Sequence, residues 1–137
     1  MGSYRAEEIE ETAMTTYVGL RLASCGECKV YVIEAPMCRP LKPRLDLRNH
    51  SPAGFEWGYN GSGPAQLALA LLCDVTGDDR AAETLHQRFK SQFAALLPKE
   101  GWVIAHELIE QWIIDQIGGC KEVVSADEVL DLGDQPS

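Results

Sequence analysis

The chain is 137 residues long, 45% apolar, and carries a formal net charge of −9. That length supports one hydrophobic core and is too short for two, since domains commonly run to about 100–150 residues. Its longest unbroken apolar run, Leu67 to Cys73, falls far below the roughly 20 residues that cross a bilayer, so no membrane-spanning helix is expected. Glu7, Glu8, Glu10 and Glu11 stand where an export signal needs a basic start and an apolar stretch, which points to the cytoplasm.

The acidity is concentrated at the ends. Residues 1–13 hold four acids and one base, and residues 121–137 hold five acids and one base, which leaves −2 for the centre. A mobile acidic leader (1–13) and an acidic tail (121–137) therefore flank one folded domain (14–120). A near-neutral centre disfavours nucleic acid as a partner, although an acidic mimic of DNA is compatible with the tails. Cys25, Cys28, Cys38, Cys73 and Cys120 are an odd set, expected to remain reduced, with Cys73 packed as a small apolar residue.

From Tyr17 the pattern is β-rich, Tyr-Val-Gly-Leu-Arg-Leu, then a Ser-Cys-Gly-Glu-Cys interruption, then Lys-Val-Tyr-Val-Ile-Glu. This predicts a hairpin. Pro36, Pro40 and Pro43 rule out an interior strand or continuous helix over 35–53, which reads as an extended surface connector. A short strand is expected over Phe55 to Tyr59.

Gly61-Ser-Gly-Pro-Ala-Gln66 has the marks of a helix start, with Pro64 at the first helical position and Gln66 placed to reach back toward the cap. The following Leu67 to Cys73 run is apolar all round and belongs inside the protein. Thr76-Gly-Asp-Asp79 ends that helix and caps a second, amphipathic one, in which Ala82, Leu85, Phe89, Phe93 and Leu96 repeat at helical spacing. Trp102 to Ile104 is short enough for one more strand. Leu108, Ile109, Trp112, Ile113 and Ile117 make a third helical stripe.

The predicted fold is thus α+β: a small antiparallel sheet, made of an N-terminal hairpin plus a later short strand, packed against three helices in the order ββ-αα-β-α. The expected core is Leu67, Leu69, Leu71, Leu72, Leu85, Phe89, Phe93, Val103, Ile109, Trp112 and Ile113.

The motifs offer no complete catalytic set. Ser62 lacks glycines two residues away on each side, as a nucleophile elbow requires. His106-Glu-Leu-Ile-Glu110 places Glu where a zinc-protease helix needs its second His. Cys25-Gly-Glu-Cys28 has no second cysteine pair to complete a metal centre. His50 and His86 have no partner identifiable from spacing. No catalytic residue, metal ligand or cofactor is therefore assigned.

Two segments remain as candidate sites. Trp57, Tyr59, Asn60, Gly61, Ser62, Gly63 and Gln66 combine aromatic faces with hydrogen-bonding groups at a helix N-terminus, where an anion can dock. No Lys follows the glycines, which argues against a nucleoside triphosphate. Arg39, Lys42, Arg44 and Arg48 make the connector a second, basic surface.

The stretch from Leu45 to Ala70, Leu-Asp-Leu-Arg-Asn-His-Ser-Pro-Ala-Gly-Phe-Glu-Trp-Gly-Tyr-Asn-Gly-Ser-Gly-Pro-Ala-Gln-Leu-Ala-Leu-Ala, resembles the signature of domain of unknown function family 6166, an uncharacterised family of bacterial, plasmid and phage proteins. The resemblance extends from the Tyr17 strand to Trp112, with Asn60 standing where the family is expected to have Gly. It implies no activity. It does imply a mobile-element setting, in which small accessory proteins act by binding host components. The resulting expectation is a non-enzymatic accessory protein with a protein partner. The second candidate is a domain, with or without catalysis, that binds a phosphate-bearing small molecule at Gly61 to Gln66.

Overall fold

The computed structural model describes residues 14–118. The proposed leader and tail lie outside the described residues. The described chain divides into two compact units between His106 and Glu107.

In the first unit a four-stranded antiparallel sheet has the order β3-β2-β1-β4. Strands β1 (Thr16–Arg21) and β2 (Cys28–Glu34) form the predicted hairpin, in register Tyr17 with Val32 and Gly19 with Val30. Its turn is closed by the Leu22 and Gly26 amides, with Gly26 at a φ of 76°, a conformation that glycine adopts without steric cost. Strand β4 (Gly101–Ala105) pairs with the other side of β1, as the Trp102 to Ile104 run predicts.

The connector contains one element that its prolines concealed. Strand β3 (Met37–Pro40) pairs with β2 from Tyr31 opposite Pro40 to Glu34 opposite Met37. It is an edge strand, where a residue without an amide donor is tolerated. The short strand expected over Phe55 to Tyr59 does not form; that segment is irregular.

Helix α1 (Ser62–Thr76) is buried from Gly63 through Cys73, as its unbroken apolar surface requires. Gly77, at a φ of 67°, closes it by donating its amide to the Cys73 carbonyl at 2.8 Å. Asp78 then caps α2 (Asp79–Gln92) by accepting from the Arg80 and Ala81 amides. A 3-10 turn, Ala94–Leu96, leads toward β4. The third helix, 106–118, follows β4 directly. Its Ile109 and Ile113 are buried and Trp112 is half-buried.

Four core expectations need correction. Helix α2 buries Ala82, His86 and Phe89, so His86 takes the inward position expected of Leu85, which is half-buried. Phe93 is half-buried and stacked on Phe89 at 4.6 Å between ring centroids. Trp112 is only half-buried. In β4 the phase is reversed: Trp102 and Ile104 face the core and Val103 is 70% exposed. The reason is Gly19, opposite Trp102: a β-carbon there would overlap the indole, so the missing side chain makes the space Trp102 fills.

Candidate functional site

The loop before α1 is held from below. Trp57 is fully buried, edge-on to Trp102 at 5.3 Å, and its indole N–H donates to the Lys99 carbonyl at 3.2 Å. The Arg21 guanidinium lies over the same indole at 5.3 Å and also donates to Lys99. It binds Glu56 through two nitrogens, at 2.9 and 3.0 Å. This fork holds the Glu56 carboxyl below the usual carboxylate range, while burial pushes the neighbouring Cys28 thiol up to about 11. A thiol so raised stays protonated and is a poor nucleophile near neutral pH.

The loop glycines serve close contacts. A side chain at Gly61 would meet the Tyr59 ring, and one at Gly63 would meet Glu56. Gly61 supplies no side-chain cap. Of the sequence-predicted loop residues, Tyr59, Asn60 and Ser62 are exposed, while Trp57, Gly63 and Gln66 are buried.

Gln66 does not reach back toward the helix cap. Its carbonyl oxygen accepts from the His50 and Ser51 amides at 2.7 and 3.0 Å, and its amino group donates to the Pro43 and Arg48 carbonyls at 2.6 and 3.0 Å. All four contacts pin the connector onto α1. This is a side chain using its full hydrogen-bonding capacity inside the protein.

The basic surface is likewise tied down. Arg39 pairs with Asp74 at 3.1 Å, Arg44 with Asp46 and Asp79 at 3.0 Å, and Arg48 with Glu83 at 3.3 Å. Tyr17 donates its hydroxyl to Asp74 at 2.7 Å. Burial, followed by the Asp74 contact, drives that phenol well above its ordinary value. Lys42 lines a cavity of about 90 Å³ with Leu41, Arg44 and Asp74.

Two arrangements were invisible to sequence spacing. First, the outward face of the sheet is apolar. Val18 stands between Tyr31 and Val103, with Pro40 beyond Tyr31; Ile33 lies opposite Cys38, and Leu20 opposite Lys29. Val103 is 70% and Leu20 45% exposed. The available signal was that neither hairpin strand alternates apolar with polar residues, a pattern of strands covered on both faces.

Second, His50 and His86 meet. Their Nε2 atoms are 3.0 Å apart and their rings are tilted by 40° at 5.1 Å. His86 Nδ1 lies 2.8 Å from the Glu83 carbonyl, which fixes the proton on that nitrogen and leaves Nε2 as acceptor. The Gln87 amide reaches the same Nε2 at 3.3 Å. Burial, then His86, Arg48 and Lys90, lowers the titration of His50. Among the described residues no three His, Cys, Asp or Glu side chains converge as a metal cluster. Nor is any helix there long and apolar enough to cross a membrane.

A family model described as "Family of unknown function (DUF6166)" matches residues 17–115. No curated protein and no solved structure matches the chain. The chain belongs to this family of unknown function.

Proposed function

We propose that this protein is a binding module for another protein, and that it receives an extended apolar segment of its partner along β4. The observation that carries this reading is the difference between the two sheet edges. Edge strand β3 contains Arg39 and Pro40, devices that discourage strand addition. Edge strand β4, Gly-Trp-Val-Ile-Ala, has neither a charge nor a proline and pairs only with β1 among the described residues. A strand added there gains main-chain hydrogen bonds and sets alternate side chains beside Val103, continuing the row Val103, Val18, Tyr31. An exposed apolar surface of this kind is a common mark of a protein-binding site.

We further propose that the chain is an accessory protein of a mobile element and that this partner is a host protein. The loop residues Tyr59, Asn60 and Ser62 form a separate exposed surface. The anion reading of the loop is less well supported, because its glycines accommodate Tyr59 and the acidic Glu56.

The test compares proteins recovered with the wild-type chain, with Val103→Asp, and with the double variant Asn60→Ala/Ser62→Ala. A partner that is lost only with Val103→Asp, and whose binding protects the β4 amides of the wild-type chain from hydrogen exchange, supports the reading. A partner kept by Val103→Asp and lost by the loop variant moves the site to the loop.

A further inference from the structure

We propose that His50 and His86 form a two-imidazole binding site for a divalent late transition ion, with a geometry suited to Ni²⁺ or Cu²⁺. The two residues are 36 positions apart in sequence and are brought together from the connector and from α2. The His50 main chain and the His86 ring are held before any ion arrives. The His50 backbone amide is held by buried Gln66 at 2.7 Å. His86, 4% exposed, has its Nδ1 on the Glu83 carbonyl at 2.8 Å. A backbone carbonyl on the far ring nitrogen is the usual orienting contact of a metal-bound histidine, and it directs the Nε2 lone pair outward.

The 3.0 Å separation of the Nε2 atoms, set by their hydrogen bond in the metal-free protein, is also the spacing of two cis ligands on one ion. With metal–nitrogen bonds of about 2.0–2.1 Å, two cis ligands at about 90–95° lie about 3.0 Å apart, whereas tetrahedral zinc places them near about 3.4 Å. Tetragonal and square-planar coordination by nitrogen and oxygen is the preference of Cu²⁺ and Ni²⁺. Half-buried His50 leaves an open side for water ligands. The exposed Gln87 side chain, 3.3 Å from His86 Nε2, can turn its oxygen toward the ion. Without metal, His50 Nε2–H donates to His86 Nε2. On binding, that proton moves to His50 Nδ1, so the neutral pair releases none. Arg48 and Lys90 lie close enough to disfavour added positive charge. Arg48 is offset by Glu83 at 3.3 Å, and the site is accordingly expected to be weaker than a full four-ligand centre.

The experiment titrates Ni²⁺ into the full chain after chelator treatment and dialysis, by calorimetry at pH 7.5. Wild type and the double variant Cys25→Ser/Cys28→Ser should each bind one ion. His50→Ala should bind about tenfold more weakly or worse. Because a histidine variant can disturb the fold, the wild-type protein is also followed by NMR, where paramagnetic Ni²⁺ should broaden the His50 and His86 imidazole signals first. Failure to saturate by millimolar Ni²⁺, equal affinity in a folded His50→Ala, loss of binding in the cysteine variant, or broadening centred elsewhere would each overturn the assignment.

Discussion

The two faces of the sheet are built by the same strands and differ in what their side chains have found. On the inner face, Tyr17 reaches Asp74, Trp102 lies over Gly19 and against Trp57, and Val30, Val32 and Ile104 are buried. On the outer face Val18, Leu20, Tyr31, Ile33 and Val103 are equally apolar and remain partly or largely exposed. The difference teaches that apolar character marks where a surface can be buried, whereas the complementary partner decides whether it is. Gly19 makes the point at one residue, because its absent side chain draws Trp102 inward and sends Val103 out.

The comparison is broken most severely from the inner side. Phe89→Ala, at a fully buried position stacked on Phe93, should cost about 3–5 kcal/mol in chemical denaturation. Gln66→Leu should follow at about 2–4 kcal/mol, since it keeps the volume but strips partners from two amides and two carbonyls of the connector. An effect below about 1 kcal/mol would mean that the connector is not anchored there.

A smaller effect comes from pH. The folded state lowers the His50 titration below the ordinary value of about 6.5, by burial first and then by His86, Arg48 and Lys90. The unfolded chain therefore binds the proton more readily, and stability rises with pH across that window. The contribution is fully present above about pH 6.5 and is lost as pH falls through the lowered value. Metal-free wild type should show this slope in its melting temperature, and His50→Gln should lack it. The smallest change is expected on the outer face, where Val103→Asp should alter stability by less than about 1 kcal/mol. A larger loss would show that β4 depends on its outward residue.

Much of the fold is legible in the amino-acid sequence. Strong local signals carried it: β-rich runs around Gly26, the apolar run Leu67 to Cys73, and Gly77-Asp78 as a helix stop and start. The candidate loop was legible only as exposed Tyr59, Asn60 and Ser62; its Trp57 and Gln66 proved to be internal ties. The basic connector looked like a surface for phosphates, yet Arg39, Arg44 and Arg48 each meet an acid 35 residues away.

The sequence by itself determined the order of the hairpin, the helices and the last strand, the buried first helix and the family, because these depend on patterns within a few turns or strands of chain, whereas edge strand β3 was hidden by its prolines. Tertiary structure alone decided which face of β4 points inward, whether Leu85 or His86 is buried, and that His50 meets His86. Helical spacing permits either Leu85 or His86 on the core side of Ala82 and Phe89, since three- and four-residue steps share a face. The choice fell to contacts between segments distant in the chain, where the Gln66-anchored connector presents His50 to satisfy the buried imidazole.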